Sequence, residues 1–189
     1  MMILFLMFCV IAYVIGSIPT GKIVARLKGV DIQAVGTKNI GSSNVYLNLG
    51  KTMAIIVLLG DMGKAYLIVT YAGQIFDGGQ AMVIALFVII GNLKSIFLNF
   101  TGGKGVATSL GIFLATEPIA LVYLGVLWLI GLAYKKYILF AGLAAILIIP
   151  YQYIRYEDQI AVISAFLIIL FMLLKHLENI GWAREEKVI

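Results

Sequence analysis

Long apolar stretches recur along this chain at short intervals, and they constrain its fold more than any other feature. A helix that spans about 30 Å of hydrocarbon needs about 20 mostly apolar residues. Stretches close to that length cover residues 1–17, 53–72, 81–97, 118–134, 137–154 and 159–174, and a shorter one covers Val106–Thr116. The pattern predicts an all-α, polytopic membrane protein.

The overall composition excludes the other fold classes. Of the 189 residues, 62% are hydrophobic and 12% are charged, whereas a soluble domain is about half apolar and about a quarter charged. A soluble fold, a disordered chain and a disulfide-stapled module are therefore ruled out. One cysteine, Cys9, and one histidine, His176, also leave no basis for a Cys-rich or His-rich metal site.

The distribution of the cations predicts the orientation in the membrane. Twelve of the 14 Lys and Arg residues lie beside alternate ends of the stretches: Lys22, Arg26, Lys28, Lys38, Lys51, Lys94, Lys104, Lys135, Lys136, Lys175, Arg184 and Lys187. The opposite turns carry Asp77, Glu117, Glu157 and Asp158, with Arg155 as their one cation. By the positive-inside rule the twelve mark the cytoplasmic face, so we interpret the net charge of +5 as a membrane signal and expect no nucleic-acid partner.

The same cations predict the number of crossings. Lys104 and Lys135 both lie on the cytoplasmic side only if the chain crosses twice between them. The turn falls at Glu117-Pro118, because Pro ends one helix and starts the next. We therefore expect a single domain over residues 1–189 with seven transmembrane helices, one of them short. Its N-terminus lies outside and its C-terminus in the cytoplasm. The first stretch has no basic start and no small-residue cleavage site, so it is predicted to be a helix and not a signal peptide.

A long polar segment, residues 17–51, follows the first stretch. Its middle holds two glycine-led clusters, Gly36-Thr37-Lys38-Asn39 and Gly41-Ser42-Ser43-Asn44. Glycines let backbone N–H groups turn toward an anion, and Ser, Thr and Asn side chains add donors. A flexible turn is the alternative. The density of polar residues favours a phosphate-binding loop that includes Lys38, Asn39, Gly41, Ser42, Ser43 and Asn44.

A second cluster lies immediately before the short stretch, in a loop that we expect to dip into the protein. Gly102, Gly103 and Gly105 surround Lys104, and Thr108 follows one turn into the predicted helix. Free N–H groups, the positive end of the helix dipole and an ammonium together form an anion site. A Walker A motif is excluded, because it requires Ser or Thr directly after the Lys. A plain helix start with a positive-inside lysine is the alternative at this cluster.

Three further groups of polar residues lie at or near the cytoplasmic face. His176 and Asn179 are three residues apart on one helix, where His176 suits substrate binding or proton transfer. Asp61 and Lys64 lie within a span, so they form either a buried ion pair or a substrate-facing pair. Ser17 ends the first helix beside a Pro19 break.

Five motifs in one order resemble the bacterial glycerol-3-phosphate acyltransferases that use acyl phosphate, the PlsY family. They are Gly16-Ser17-Ile18-Pro19-Thr20-Gly21, Asn39-Ile40-Gly41-Ser42-Ser43-Asn44-Val45, Asp61-x-x-Lys64, Gly102-Gly103-Lys104-Gly105-Val106-Ala107-Thr108 and His176-x-x-Asn179-Ile180. The resemblance covers nearly the whole chain.

The resemblance implies a function and a set of site residues. Acyl phosphate and glycerol 3-phosphate would react in the bacterial inner membrane, at a site facing the cytoplasm. The products are lysophosphatidic acid and phosphate, and no metal or cofactor takes part. Lys104, His176 and Asn179 would be catalytic, and Ser17, Asp61, Lys64 and the two glycine clusters would bind substrate. The sequence departs from the family pattern at Leu47, Asn92, Ser95 and Trp182, where the family usually carries Arg, His, Pro and Arg; Lys38 and Arg184 are candidates to replace the missing cations.

Two other functions remain open at this point. A small transporter of a phosphorylated solute would show glycine-broken helices at matching depths in two halves, whereas the long polar loops of this chain lie on one side. A lipid phosphotransferase would need several Asp residues for a divalent metal, and the cytoplasmic half offers Asp31 and Asp61. No Ser-His-Asp set is evident, so we expect direct attack by the substrate hydroxyl without an acyl-enzyme.

Overall fold

The protein is described by a computed structural model that covers residues 1–133 and 158–185; side chains from residue 176 onward lie outside that description. Within these ranges every regular element is a helix, as predicted. The elements are α1 (Met2–Ser17), α2 (Thr20–Arg26), α3 (Ser42–Ile75), α4 (Gly78–Leu93), a 3-10 turn (Ile96–Leu98), α5 (Val106–Thr116), α6 (Pro118–Ala133) and α7 (Gln159–Glu185). The predicted helix 137–154 falls outside the described residues.

Two segments are long and apolar enough to cross a membrane. They are Met2–Arg26, which joins α1 and α2, and α3, with mean hydropathies of 2.4 and 1.7 in their most apolar windows. Only 22% and 28% of those windows are buried within the protein, so most of their apolar surface is available to lipid. Gly78–Leu93, Val106–Thr116 and Gln159–Lys175 are shorter apolar helices.

Helix α4 forms the centre of the apolar core. It packs between α1 and α7, while α3 packs along α5. Ile84, Val88 and Ile89 of α4 are fully buried together with Ile112 of α5 and Ile168 of α7. Such close packing of five helices fixes the cytoplasmic end of α4, where the second glycine cluster follows.

The turn at Glu117-Pro118 is confirmed, because α5 ends at Thr116 and α6 begins at Pro118. Two acidic residues from the predicted outer turns cap helices. Asp77 accepts a hydrogen bond from the Gln80 N–H (2.8 Å), and Asp158 accepts one from the Ile160 N–H (2.8 Å). A carboxylate at a helix N-terminus also interacts favourably with the helix dipole.

Three boundaries differ from those predicted. Helix α2 lies within the segment expected to be a loop, α4 ends at Leu93 instead of residue 97, and α3 begins at Ser42 instead of residue 53. The last difference arises because Gly50 adopts non-helical angles (φ 81°, ψ 178°) and joins a short polar helix to the apolar one. The hydropathy pattern detects the apolar part alone.

Candidate anion-binding site

The chain between α4 and α5 folds back on itself before it reaches the second glycine cluster. Asn99 and Phe100 take left-handed φ values of 52° and 58°, and the turn closes when the Ser95 N–H donates to the Thr101 carbonyl (3.0 Å). The Gly103 N–H then donates to the Asn92 carbonyl at the end of α4 (3.0 Å). The loop therefore dips into the protein, as predicted, and Gly103 and Gly105 are buried.

Glycine is required where this loop meets α4. A Cβ atom on Gly102 would clash with the carbonyl oxygens of Asn92 and Leu93, and one on Gly103 would lie 3.2 Å from Asn92 Oδ1. Asn92 departs from the family pattern, and its residue type alone predicted no contact. The structure places its amide against Gly103, where it shapes the loop.

Helix α5 begins with its first N–H groups uncapped by any side chain, and Gly105 precedes it with φ 80°. Lys104 is half-buried beside this helix start, and burial lowers the pKa of its ammonium. Among the described residues no carboxylate forms an ion pair with Lys104. The free N–H groups, the helix dipole and the ammonium form the anion site expected from the sequence.

Two residues of α5 complete this helix start. Thr108 is fully buried, and its hydroxyl has no hydrogen-bond partner within the described part of the chain. The Ser109 hydroxyl donates to the sulfur of Met172 on α7 (2.6 Å). A Cβ on Gly105 would lie 3.3 Å from Met172 Cγ, so α7 packs directly against the start of α5. Sequence alone did not single out Met172.

The first glycine segment is organised by one side chain, Asn44. Its Oδ1 accepts hydrogen bonds from the Thr37 N–H (2.8 Å) and from Asn48 Nδ2 (3.1 Å). Its Nδ2 lies within hydrogen-bond distance of the carbonyls of Ile32 (3.0 Å), Val35 (3.1 Å) and Asn39 (2.9 Å). Asn44 is 1% exposed, so these contacts with the loop occupy its amide.

The two glycine segments meet at Ile40. This side chain is 4% exposed, and a Cβ on Gly103 would lie 3.7 Å from Ile40 Cγ1. Directly after Ile40, Gly41 precedes α3, which also begins without a side-chain cap. Ser42 and Ser43 open α3, with Ser43 exposed, while Lys38 and Asn39 lie in the preceding turn, where Lys38 has a left-handed φ of 57°. Two uncapped helix starts therefore flank one junction.

The pair within α3 is an ion pair, one of the two alternatives that the sequence left open. Lys64 Nζ lies 2.8 Å from Asp61 Oδ1, and both side chains are about 90% buried (8% and 10% exposed). Thr20 donates to the same Asp61 oxygen (2.9 Å), and Lys64 donates to the Ile18 carbonyl (2.7 Å). The pair holds the break between α1 and α2 against α3.

Ser17 also ties elements together. It is 1% exposed, its carbonyl accepts the Ser95 hydroxyl (2.6 Å), and its hydroxyl accepts the Ile96 N–H (3.4 Å). His176 and Asn179 lie on α7, but their side chains fall outside the described residues. Within the described ranges, no three His, Cys, Asp or Glu residues lie close enough to hold a common metal ion.

The chain is similar to a family of membrane-bound enzymes over nearly its full length. Residues 6–185 match the model of the family described as glycerol-3-phosphate acyltransferase. The glycerol-3-phosphate acyltransferase of Geobacter sulfurreducens is 38% identical over 177 residues, which cover 93% of this chain and 91% of the relative. That of Geotalea daltonii is 35% identical over 171 residues and covers 89% and 88%.

Two solved structures share the fold. Both are crystal structures of PlsY (YgiH), an integral membrane glycerol 3-phosphate acyltransferase, one in its glycerol 3-phosphate form and the other in its lysophosphatidic acid form. Their TM-scores are 0.85 and 0.83, each with 30% sequence identity over 94% of this chain and 90% of the solved chain.

Proposed function

This chain belongs to the glycerol-3-phosphate acyltransferase family of integral membrane enzymes, and we propose that acyl phosphate is its acyl donor. The acyl group goes to the sn-1 hydroxyl of glycerol 3-phosphate and gives lysophosphatidic acid and inorganic phosphate. Family membership favours an enzyme over the small transporter that the sequence left open.

The observation that carries the proposal is the junction of the two glycine segments. Ile40 contacts Gly103 at the point where α3 and α5 both begin uncapped, and Lys104 lies at the same place. Both substrates carry phosphate, so a site that joins them must offset the repulsion between two anions. Backbone N–H groups and a lysine supply that positive potential without a metal.

The reaction needs positioning more than it needs a protein nucleophile. The sn-1 oxygen attacks the acyl carbon, the bond from that carbon to the phosphate oxygen breaks, and phosphate leaves with the bonding electrons. N–H groups at the helix starts stabilise the negative charge that develops on the acyl oxygen. The hydroxyl proton goes to a substrate phosphate oxygen or to His176, and the pH profile of His176→Ala distinguishes the two routes.

His176 and Asn179 are proposed as catalytic from their place on α7. They follow Met172 by four and seven residues, a spacing that puts residues on one face of a helix. Met172 packs against Gly105 and Ser109 at the start of α5. The register of α7 therefore supports a position for both residues beside Lys104.

We further propose that this site faces the cytoplasm in the inner membrane of a bacterium. The cations around the two glycine segments support this side, and so do the acidic helix caps Asp77 and Asp158 at the opposite ends of the helices. Seven crossings within one domain, residues 1–189, place the N-terminus outside.

The test compares acyl donors with purified protein in lipid nanodiscs. With glycerol 3-phosphate present, palmitoyl phosphate should give lysophosphatidic acid and phosphate, whereas palmitoyl-CoA and palmitoyl-acyl carrier protein should give neither. Lys104→Ala should lower turnover roughly 100-fold, a typical loss for one electrostatic contact to the transition state. Lys28→Ala removes an exposed cation away from the junction and should change turnover less than twofold. Equal rates with palmitoyl-CoA would refute the donor, and an active Lys104→Ala would refute the site.

A further inference from the structure

An open cleft lies on the concave side of the bend in α3. The bend comes from Gly50, and the cleft, here called the elbow cleft, has a volume of about 620 Å³. That volume is in the range of sites that hold small ligands. The cleft is lined by Ser42, Ser43, Tyr46, Leu47, Lys51, Ala54, Ile55 and Leu58.

The lining changes in character from one end of the elbow cleft to the other. Ser42 and Ser43 lie where α3 begins, next to the junction of the glycine segments, and Lys51 supplies a cation just after the bend. Beyond it the wall is apolar and includes Ile55, which is 42% exposed, and Leu58. A surface with a cationic, hydroxyl-bearing end and an apolar end is complementary to a single-chain lipid with an anionic head.

We propose that the elbow cleft holds the acyl donor, with its phosphate toward Lys51 and Ser43 and its acyl chain along Ile55 and Leu58. This inference rests on the proposed function and names the binding site of one of its two substrates. Its strongest support is continuity, because the polar end of the cleft adjoins Gly41 and Ile40, which contact the second glycine cluster.

The dimensions of the elbow cleft limit how much of the chain it contacts. Lys51 and Leu58 are separated by about 10 Å along the helix axis at 1.5 Å per residue. A long acyl chain would therefore leave the cleft and continue into the surrounding lipid. Selection among long chains should then be weak, because their distal carbons do not touch the protein.

A second cleft provides a comparison within the same molecule. It lies on α1, has a volume of about 390 Å³, and is lined by Ile3, Leu6, Met7, Val10 and Ile11. Its lining contains no charged or hydroxyl side chain, so it offers nothing to an anionic head. We expect this α1 cleft to contact bulk lipid without preference, and it serves as the control site.

Steady-state kinetics of purified full-length variants test the proposal. Leu58→Trp fills the elbow cleft, and it should raise the KM for palmitoyl phosphate roughly tenfold, which corresponds to about 1.4 kcal/mol of lost binding. The KM for glycerol 3-phosphate should stay within twofold. The matched control is Leu59→Trp, which adds the same bulk at the neighbouring, 54% exposed residue. Ile55→Trp repeats the test if Leu58→Trp does not fold.

The role of Lys51 is tested in the same assay. Lys51→Ala should raise the KM for palmitoyl phosphate, and Lys51→Arg should keep it near the wild-type value because the charge remains. The proposal is overturned if Leu58→Trp and Ile55→Trp raise this KM no more than Leu59→Trp, or if the KM for glycerol 3-phosphate rises instead.

Photo-cross-linking tests binding independently of turnover. A palmitoyl phosphonate with a diazirine near its head should label peptides within residues 42–58, and excess palmitoyl phosphate should prevent the labelling. Labelling of residues 3–11 should be weak and unaffected by the competitor. Equal labelling of both clefts, or labelling without competition, overturns the inference. Competed labelling in a protein that makes no lysophosphatidic acid would instead refute the proposed function and leave the cleft assignment standing.

Discussion

The two glycine-rich segments look alike in sequence, but their polar atoms are used in opposite ways. In the first segment the Asn44 amide is bonded to the surrounding loop through five contacts. In the second, α5 starts uncapped, Lys104 has no carboxylate partner among the described residues, and the Thr108 hydroxyl is buried without a hydrogen-bond partner in the same ranges. Polar groups that are satisfied internally stabilise a loop, whereas unsatisfied ones are available to a ligand.

This difference divides the work between the two segments. The second supplies the contacts to phosphate, and the first holds Ile40 and the start of α3 in place against it. Asn44, which the sequence indicated as a substrate contact, is in this arrangement a positioning residue. Substitutions in the second segment should therefore affect activity most, and those in the residues that support the first segment should affect it least.

Gly102→Ala should be the most damaging substitution. The added Cβ meets backbone oxygens of Asn92 and Leu93, which cannot move without shifting the end of α4, so the loop that carries Lys104 must be displaced. Turnover should fall more than roughly 100-fold, since small displacements of positioning groups have effects of that size. The measurement is phosphate release from palmitoyl phosphate in the presence of glycerol 3-phosphate.

Gly41→Ala is the matched variant in the first segment. Gly41 has φ −73°, which alanine adopts readily, and the nearest atom to the added Cβ is Asn39 Nδ2 at 3.6 Å. The loss of turnover should stay below tenfold. If Gly41→Ala is as damaging as Gly102→Ala, the division between the two segments is wrong.

Asn44→Ala should show a large loss of stability together with a loss of activity. It leaves the Thr37 N–H and several carbonyls without their partner, and we expect a cost on the order of 3 kcal/mol in the free energy of unfolding. For a chain of this size that corresponds to a fall of roughly 6 to 12 °C in Tm. Differential scanning fluorimetry in detergent measures it.

Asn48→Ala and Lys104→Ala serve as controls for that prediction. Asn48 Nδ2 donates to the Asn44 carbonyl (2.9 Å) and to Asn44 Oδ1 (3.1 Å). Its removal breaks these two bonds and leaves the contacts between Asn44 and the loop in place, so Tm should fall less. Lys104→Ala should leave Tm near the wild-type value while activity falls. An Asn44→Ala protein with normal Tm and a raised KM would identify Asn44 as a substrate contact after all.

Much of the fold follows from the sequence, because it depends on hydropathy. The apolar stretches predicted the helices in the described ranges, and α5 has the bounds predicted for the short stretch, Val106–Thr116. The helix start at Ser42 was missed, since the segment before Gly50 is polar and short. Its helical form depends on the loop contacts of Asn44, which hydropathy does not record.

The candidate site was only partly predictable for a related reason. The glycine clusters marked where an anion binds, because the requirement for glycine is local. Which of their polar atoms remain available depends on contacts between distant residues, such as those of Lys64 with Ile18 and of Ser95 with Ser17. Residue type and spacing left the Asp61–Lys64 pair undecided between ion pair and substrate contact, and the packing of α2 on α3 shows the ion pair.

The pH dependence of glycerol 3-phosphate binding should report on Lys104. Burial lowers the pKa of this ammonium, so it should lose its charge at a lower pH than an ordinary lysine, and the KM for glycerol 3-phosphate should then rise. The substrate phosphate is already a dianion above pH about 7, so it does not contribute to the change. Lys104→Arg should keep the KM flat, because arginine stays protonated.

The same pKa shift predicts the sign of a stability change. Because the unfolded chain binds this proton more tightly than the folded one, stability should rise with pH from the lowered pKa up to the ordinary lysine value. A KM that rises only in the ordinary lysine range, in wild type and Lys104→Arg alike, would remove Lys104 from the anion site.

Thr20→Val should give the smallest effect. It keeps the shape of the side chain and removes one hydrogen bond to Asp61 (2.9 Å), while Lys64 stays bonded to the same oxygen. We expect a loss of about 1 kcal/mol in stability and less than a twofold change in either KM, because α2 supports the first segment from behind. Asp61→Ala in contrast leaves the Lys64 ammonium buried without its counter-ion, at a cost of about 3–5 kcal/mol. If Thr20→Val instead raises the KM for glycerol 3-phosphate at an unchanged Tm, the Asp61–Lys64 pair contacts substrate, and the supporting part of the molecule would belong to the site.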